Sequence, residues 1–75
     1  MDSNDIYIEI VFHVSPPDDG RDILLALLSE QQFESFLETK TGLRAYIKQP
    51  DWNRIDVQKV LSLMPSEFVV SHQIK

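Results

Sequence analysis

Two histidines and three neighbouring aspartates are the side chains of this sequence that could serve a metal site or acid–base catalysis. His13 and His72 are far apart and could meet only through strand pairing, and no helix carries two imidazoles at the i, i+4 spacing typical of zinc sites. Asp18, Asp19 and Asp22 are close together, but acid–base catalysis needs two carboxyls in a desolvated pocket. Acids that follow a Ser-Pro-Pro segment are typical of a helix N-terminus. We therefore predict neither a metal site nor a catalytic carboxylate pair.

Nucleophile and nucleotide-binding motifs are also missing. The chain has no cysteine, which excludes thiolate zinc sites, a cysteine nucleophile and a disulfide scaffold. Its two glycines, Gly20 and Gly42, do not form a glycine-rich loop between a strand and a helix, so no dinucleotide or S-adenosylmethionine cradle is encoded. A triad drawn from Ser71 and His72 lacks a nucleophile elbow. The sequence predicts no catalytic or cofactor-binding residue of its own.

Length and charge restrict the possible partners. With 75 residues, 43% of them hydrophobic, the chain is expected to form a single globular domain. Twelve acidic and seven basic residues give a net charge of -5, which argues against binding a nucleic-acid backbone and favours a basic or neutral partner. The longest apolar run, residues 23–28, is too short to span a bilayer. Asp2 and Asp5 stand where a signal peptide carries basic residues, so we expect a cytoplasmic protein.

The first half of the chain predicts a strand and a helix. Residues Tyr7 to Val14 alternate between apolar and polar types, which is typical of a half-buried strand. Ser15 is predicted to cap the next helix, with Pro16 at its first position. Gly20 near that start lowers helix stability by up to about 1 kcal/mol relative to alanine. The buried face of the helix is predicted from its spacing to contain Ile23, Leu24, Leu25, Leu27 and Leu28.

A β-hairpin is predicted next. Phe33–Thr39 and Leu43–Lys48 flank a short turn, in which we expect Gly42 to adopt a positive φ. The second strand alternates cleanly along its length. Pro50 then ends the strand pairing, because proline cannot donate to the ladder.

The last part of the chain predicts a second helix and a fourth strand. Asn53, with Asp56 three residues later, has the pattern of an N-terminal cap. Apolar residues at i, i+3, i+4 and i+7 continue to Met64, and Pro65 ends this helix. Phe68–Lys75 reads as the fourth strand.

The order β-α-β-β-α-β predicts a ferredoxin-like α+β fold, a four-stranded antiparallel sheet with two helices on one face. Right-handed crossovers place strands one and three at its centre. Because side chains alternate between the two faces along each strand, the following residues are assigned to the helix side: Ile8, Ile10, Phe12, Leu43, Ala45 and Ile47. The same alternation assigns to the opposite, open face Tyr7, Glu9, Val11, His13, Arg44, Tyr46 and Lys48.

Three interpretations of the open face follow. Arg44, Tyr46 and Lys48 suggest RNA, since RNA-binding domains of this topology stack bases on central strands, but the net charge and the few aromatics oppose it. A protein partner or a neighbouring domain fits better, and a plain solvated face also remains open.

Acylphosphatases share this order of strands and helices, but Ser15–Asp19 replaces their glycine-rich phosphate loop with prolines and acids. Small-ligand sensor domains of this topology remain possible.

The hairpin also carries a family resemblance. The segment Phe33–Ile47, FESFLETKTGLRAYI, together with Tyr7–Pro16, YIEIVFHVSP, resembles the amino-terminal domain of bacterial ribosomal protein methyltransferases of the PrmA family. The similarity extends from Tyr7 to about Met64 and is closest to versions from Bacteroidetes-like bacteria. Members of this family methylate the eleventh large-subunit ribosomal protein.

This resemblance implies that residues 1–75 form a single substrate-recognition domain, the N-terminal fragment of a longer enzyme. It implies a Rossmann-like catalytic domain in the same chain that uses S-adenosylmethionine to methylate lysine side chains and an α-amine. The implied partners are the ribosomal protein and the catalytic domain, without direct contact to nucleic acid or membrane. Parity suggests four contact residues on the open face, Tyr7, Arg44, Tyr46 and Lys48. The alternative is a free-standing ferredoxin-like regulatory module that binds a small ligand or pairs through its edge strands.

Overall fold

A computed structural model describes residues 6–75 of the chain. Asp2 and Asp5, the acids that argue against a signal peptide, lie outside the described residues. The strands are β1 (Tyr7–Ser15), β2 (Ser35–Glu38), β3 (Gly42–Lys48) and β4 (Val69–Ile74). The helices are α1 (Pro17–Ser29), α2 (Gln49–Trp52) and α3 (Val57–Leu61).

The four strands form one antiparallel sheet in the order β2-β3-β1-β4. Phe12 lies opposite Leu43 of β3 and opposite His72 of β4, and Phe36 of β2 lies opposite Ala45. Strands β1 and β3 are therefore central, as predicted from the two right-handed crossovers. The ferredoxin-like α+β fold is confirmed. Strand β2 is shorter than the predicted Phe33–Thr39, and Phe33 packs against the core ahead of it.

All helices that contribute to the core lie on one side of the sheet. The residues of β1 and β3 that face them are fully buried, namely Ile10, Phe12, Leu43, Ala45 and Ile47. The helices contribute Leu24, Leu28 and Val60 to the same cluster, and Met64 follows α3 into it. Ile8 is partly buried against this cluster, so the predicted helix side of the sheet is confirmed.

Helix α1 begins one residue later than its predicted start. Ser15 remains in β1, paired with Val69, and Pro16 is the N-cap residue with an extended backbone at φ -70° and ψ 147°. The prediction of a Ser15 cap with Pro16 in the helix was wrong, because a residue that precedes proline is pushed out of the helical region and Pro16 precedes Pro17. Leu24 and Leu28 form the fully buried part of the helix face, and the other predicted leucines and Ile23 border it.

Gly20 lets α1 approach β1 closely. It is buried, and a Cβ at this position would lie 2.6 Å from Val14 Cγ2 and 3.0 Å from Phe68 Cδ1. Such separations are too short for carbon atoms in contact, so packing requires a glycine where helix propensity disfavours it.

Gly42 is required for a different reason than the one predicted. Neither glycine has a positive φ, so the expected turn conformation was wrong. Gly42 is the first residue of β3, opposite His13, and a Cβ on it would overlap the main-chain carbonyl of Phe12. It is the close approach of two strands that excludes a side chain here.

The second crossover contains two short helices instead of the single helix predicted. Pro50 lies in the first turn of α2, where proline is tolerated, so a helix begins directly after β3. Asn53 ends α2 and does not cap the next helix. Asp56 does so, with its Oδ1 accepting a hydrogen bond from the main-chain N of Lys59 at 3.2 Å. Helix α3 ends at Leu61, before Pro65.

None of the helices within residues 6–75 is long and apolar enough to cross a membrane.

Replacing Gly20 by alanine is expected to destabilise the domain, although alanine favours helices by about 1 kcal/mol over glycine. The added methyl group would displace Val14 and Phe68, and overpacking of this kind costs about 1–3 kcal/mol. Urea unfolding followed by circular dichroism measures the change. Asp22→Ala, at an exposed position of the same helix, is the control and should change stability by less than about 0.5 kcal/mol. A Gly20→Ala variant that is more stable than the parent chain would contradict this account of the packing.

Candidate functional site

The open face is the side of the sheet turned away from the helices. Strand pairing places opposite each other Tyr7 and Lys48, Glu9 and Tyr46, and Val11 and Arg44. The four predicted contact residues therefore lie on one continuous surface across the two central strands. The rest of this face is contributed by His13, Ser15, Ser35, Leu37, Val69, Ser71 and Gln73.

Glu34 links two of the predicted contact residues. Tyr7 Oη donates a hydrogen bond to Glu34 Oε1 at 2.9 Å, and Lys48 Nζ lies 3.8 Å from Glu34 Oε2. Sequence reasoning missed Glu34, because strand alternation extended back from β2 would place it on the helix side. It precedes the first residue of β2, so alternation does not determine its direction.

A second ion pair joins the central strands. Arg44 Nε lies 3.7 Å from Glu9 Oε2, and both side chains remain partly exposed. Among residues 6–75, these two ion pairs bring together two acids and two cations on this surface. To bind a phosphate, Arg44 would have to give up an existing partner. Both cations therefore already have a carboxylate neighbour.

Apolar area accompanies these pairs. Val11 is only 8% exposed although it belongs to the open face, because it lies between Arg44 of β3 and Gln73 of β4. Tyr46 is half-buried, whereas Tyr7 and Leu37 are exposed. Aromatic and aliphatic groups bordered by paired charges are typical of the centre of a protein–protein interface.

A shallow cleft of about 330 Å³ lies at the end of β1 where α1 begins. His13 Nδ1 lies 2.8 Å from Thr41 Oγ1 at its edge. Its lining is mainly apolar, with one imidazole and several hydroxyl groups, and consists of His13, Val14, Ser15, Pro17, Thr41, Val69 and Ser71. The cleft could hold a small uncharged group, since its lining from residues 6–75 includes no Asp, Glu, Lys or Arg.

The structure separates the residues that could have formed a metal or catalytic site. His13 lies opposite Ser71 on the open face, whereas His72 lies opposite Phe12 on the helix side, with ring centroids 5.9 Å apart. Within residues 6–75 no group of three or more histidines and acids could hold a metal ion. Asp18 and Asp19 are exposed in the first turn of α1, outside any desolvated pocket.

Comparison with known proteins identifies relatives of one kind. The chain is 38% identical over 60 residues to a curated "Ribosomal protein L11 methyltransferase" of Bacteroides thetaiotaomicron, and equally to proteins of the same name from two strains of Bacteroides fragilis. The match covers 79% of this chain and 21% of each relative, so it spans about a fifth of their length. No protein-family model matches the chain, and no solved structure matches it. The resemblance to ribosomal protein L11 methyltransferases is confirmed.

The Glu34 ion pair can be tested for its contribution to stability. Glu34→Gln keeps an acceptor for the Tyr7 hydroxyl but removes the charge that faces Lys48. Because the pair is partly exposed, we expect the free energy of unfolding to fall by less than about 1 kcal/mol, and the difference to shrink at high salt. Urea unfolding at two salt concentrations measures both effects. Glu38→Gln, in the same hairpin, is the control, and a loss of several kcal/mol would show that Glu34 has a structural role beyond this pair.

Proposed function

We propose that this chain is the substrate-recognition domain of an S-adenosylmethionine-dependent methyltransferase that modifies ribosomal protein L11. The observation that carries the proposal is the 38% identity, over 79% of the chain, to proteins named for that activity. Because the match covers 21% of each relative, most of such an enzyme would lie outside the matched segment. In this proposal residues 1–75 are a single domain at the N-terminus of the longer enzyme.

The division of labour follows from the residues present. S-adenosylmethionine supplies an activated methyl group, and a Rossmann-like domain elsewhere in the enzyme would bind it. Within residues 6–75 the two glycines serve close packing, so neither is available for a cofactor loop. The described part of the chain offers surfaces in place of a reaction centre, and its task would be to hold the ribosomal protein while the other domain transfers the methyl groups. We place this reaction in the cytoplasm, without nucleic acid or membrane as a direct partner.

The open face is the surface we assign to the partner. Tyr7, Arg44, Tyr46 and Lys48 would make the contacts, because aromatic residues and arginine contribute most to interface energy. Tyr46 lies near the centre of this face, between Glu9 and Ser35 of the neighbouring strands. The acid surplus of the chain would attract a basic ribosomal protein over longer distances. The competing use of the same face is packing against the catalytic domain.

The cleft supports a second candidate function. Its volume of about 330 Å³ lies within the range of small-ligand sites, and a free-standing regulatory module could use it. The gene sequence beyond Lys75 separates the two candidates. A Rossmann-like domain with a glycine-rich loop supports the methyltransferase, and a stop codon directly after Lys75 supports the free-standing module.

The assigned surface predicts a selective effect of Tyr46→Ala. Removing this ring is expected to weaken binding of purified ribosomal protein L11 by about tenfold or more, measured by isothermal titration calorimetry. The melting temperature should change little, because Tyr46 is only half-buried and lies outside the core cluster.

Gln58→Ala is the matched control, since Gln58 is exposed on α3 on the opposite side of the sheet. It should leave binding unchanged. Failure of the parent chain to bind ribosomal protein L11 would overturn the recognition role. Equal weakening by both variants would move the contact away from the open face.

The proposed division of labour also predicts that this chain does not bind S-adenosylmethionine. Calorimetric titration should give no binding heat, because no loop of the described residues cradles the cofactor. A full-length relative from Bacteroides thetaiotaomicron, titrated under the same conditions, is the positive control. Micromolar binding by the 75-residue chain would contradict the assignment of the cofactor site to another domain.

A further inference from the structure

Glu34 reaches the open face in a way that strand alternation does not explain. Its main-chain N donates to Tyr46 O at 2.9 Å, and Ser35 is also paired with Tyr46. Two successive residues thus lie against one residue of β3, as in a β-bulge, and a bulge redirects side chains. The carboxylate of Glu34 consequently lies on the open face, where it meets Tyr7 and Lys48.

The hydrogen bond between Glu34 and Tyr7 connects two parts of the sheet that are not neighbours. Glu34 directly precedes β2, whereas Tyr7 is the first residue of β1, and β3 lies between these two strands. Because Tyr7 Oη lies 2.9 Å from Glu34 Oε1, the Tyr7 side chain extends over β3 toward β2. The hydroxyl group at the end of the ring is therefore held at a defined point of the open face.

The main chain at Tyr7 is restrained without Glu34. Tyr7 is paired with Lys48 in the sheet, and the preceding residue, Ile6, accepts a main-chain hydrogen bond from Gln49 N at 2.9 Å. The side chain is different, because Tyr7 is 50% exposed and an exposed tyrosine can occupy more than one staggered rotamer. A carboxylate is a strong acceptor for its hydroxyl group and favours one of these rotamers. Glu34 thus orders the Tyr7 side chain more than it stabilises the fold.

The second carboxylate oxygen of Glu34 acts through its charge. Lys48 Nζ lies 3.8 Å from Glu34 Oε2, and both side chains are partly exposed. This distance exceeds that of a hydrogen bond, so the contact is an ion pair that solvent and salt screen. Glu34 therefore offsets a positive charge that would otherwise oppose the approach of a basic protein.

We propose that Glu34 is a positioning residue for recognition of the protein partner. Its Oε1 holds the Tyr7 ring in the orientation that contacts ribosomal protein L11, and its Oε2 offsets the charge of Lys48. The inference rests on the proposed function, which assigns Tyr7 and Lys48 to the contact surface and gives Glu34 no role. A side chain that is ordered before binding loses less conformational freedom on association, so Glu34 raises the affinity through Tyr7.

A double-mutant cycle on Tyr7 and Glu34 tests this role by calorimetric titration with purified ribosomal protein L11. Glu34→Ala is expected to weaken binding about fivefold, because the Tyr7 side chain must then be ordered on association. Tyr7→Phe keeps the ring but lacks the donor, so it should weaken binding about threefold. The double variant should bind as Glu34→Ala does, since both substitutions remove the same hydrogen bond.

Glu34→Gln separates the hydrogen bond from the charge. Glutamine keeps an acceptor for Tyr7 Oη but removes the carboxylate that faces Lys48. Its affinity should lie between those of the parent chain and Glu34→Ala, and should approach the parent value at high salt, where the Lys48 charge is screened. Glu38→Ala is the matched control and should bind as the parent does, because Glu38 is an exposed acid of the same hairpin that lies opposite Leu43, on the helix side.

Nuclear magnetic resonance of the unbound chain gives a measurement that does not depend on the partner. The three-bond couplings that report χ1 of Tyr7 should indicate one rotamer in the parent chain and in Glu34→Gln. In Glu34→Ala they should indicate an average over several rotamers. A residue with a purely structural role would leave these couplings unchanged as long as the chain stays folded.

Binding of Glu34→Ala with the affinity of the parent chain would overturn the positioning role. Additive losses in the cycle, or an unchanged Tyr7 rotamer, would also overturn it. If Tyr46→Ala still weakened binding in that case, the proposed function would remain and only the role of Glu34 would be lost. A parent chain that does not bind ribosomal protein L11 would instead overturn the proposed function, and this inference with it.

Discussion

The packing of Phe12 at the centre of the sheet is the constraint on which the rest of the structure depends. Its ring is fully buried, forms a T-shaped pair with Phe33 and lies beside the imidazole of His72, at centroid distances of 6.3 Å and 5.9 Å. Its carbonyl group faces Gly42 so closely that no side chain fits between the central strands. One residue thus connects β1 to both neighbouring strands and to the segment before β2. In a domain of this size, where only about 60% of the surface of the unfolded chain is buried, the loss of one such centre removes much of the core.

In residues 6–75 most of the large apolar side chains are committed to the core, and the polar groups lie at surfaces. Nearly every large apolar residue of β1, β3 and α1 is needed for the single core cluster. The polar residues that could do chemistry are separated by strand alternation, as His13 and His72 show. Within residues 6–75, the surfaces that could serve a partner or a ligand include the open face and the cleft beside His13. The proposed recognition of a partner would require only such surfaces, in a chain that spans about a fifth of the length of its methyltransferase relatives.

The sequence by itself determined the fold class, the two faces of the sheet and the apolar sides of the helices, because alternation and helical spacing are local patterns that burial enforces. It could not determine why a glycine is required at position 42 or at position 20, or on which face of the sheet the carboxylate of Glu34 lies. Each depends on how closely two distant segments approach, and no local pattern encodes such a distance. The cap of α3 was closer to being predictable, since both Asn53 and Asp56 are residue types that cap helices. The choice between them depends on α2, which forms directly after β3 and ends at Asn53. Alternation and helical spacing predict on which face of a strand or helix a side chain lies. Only the tertiary structure determines which residues that side chain contacts.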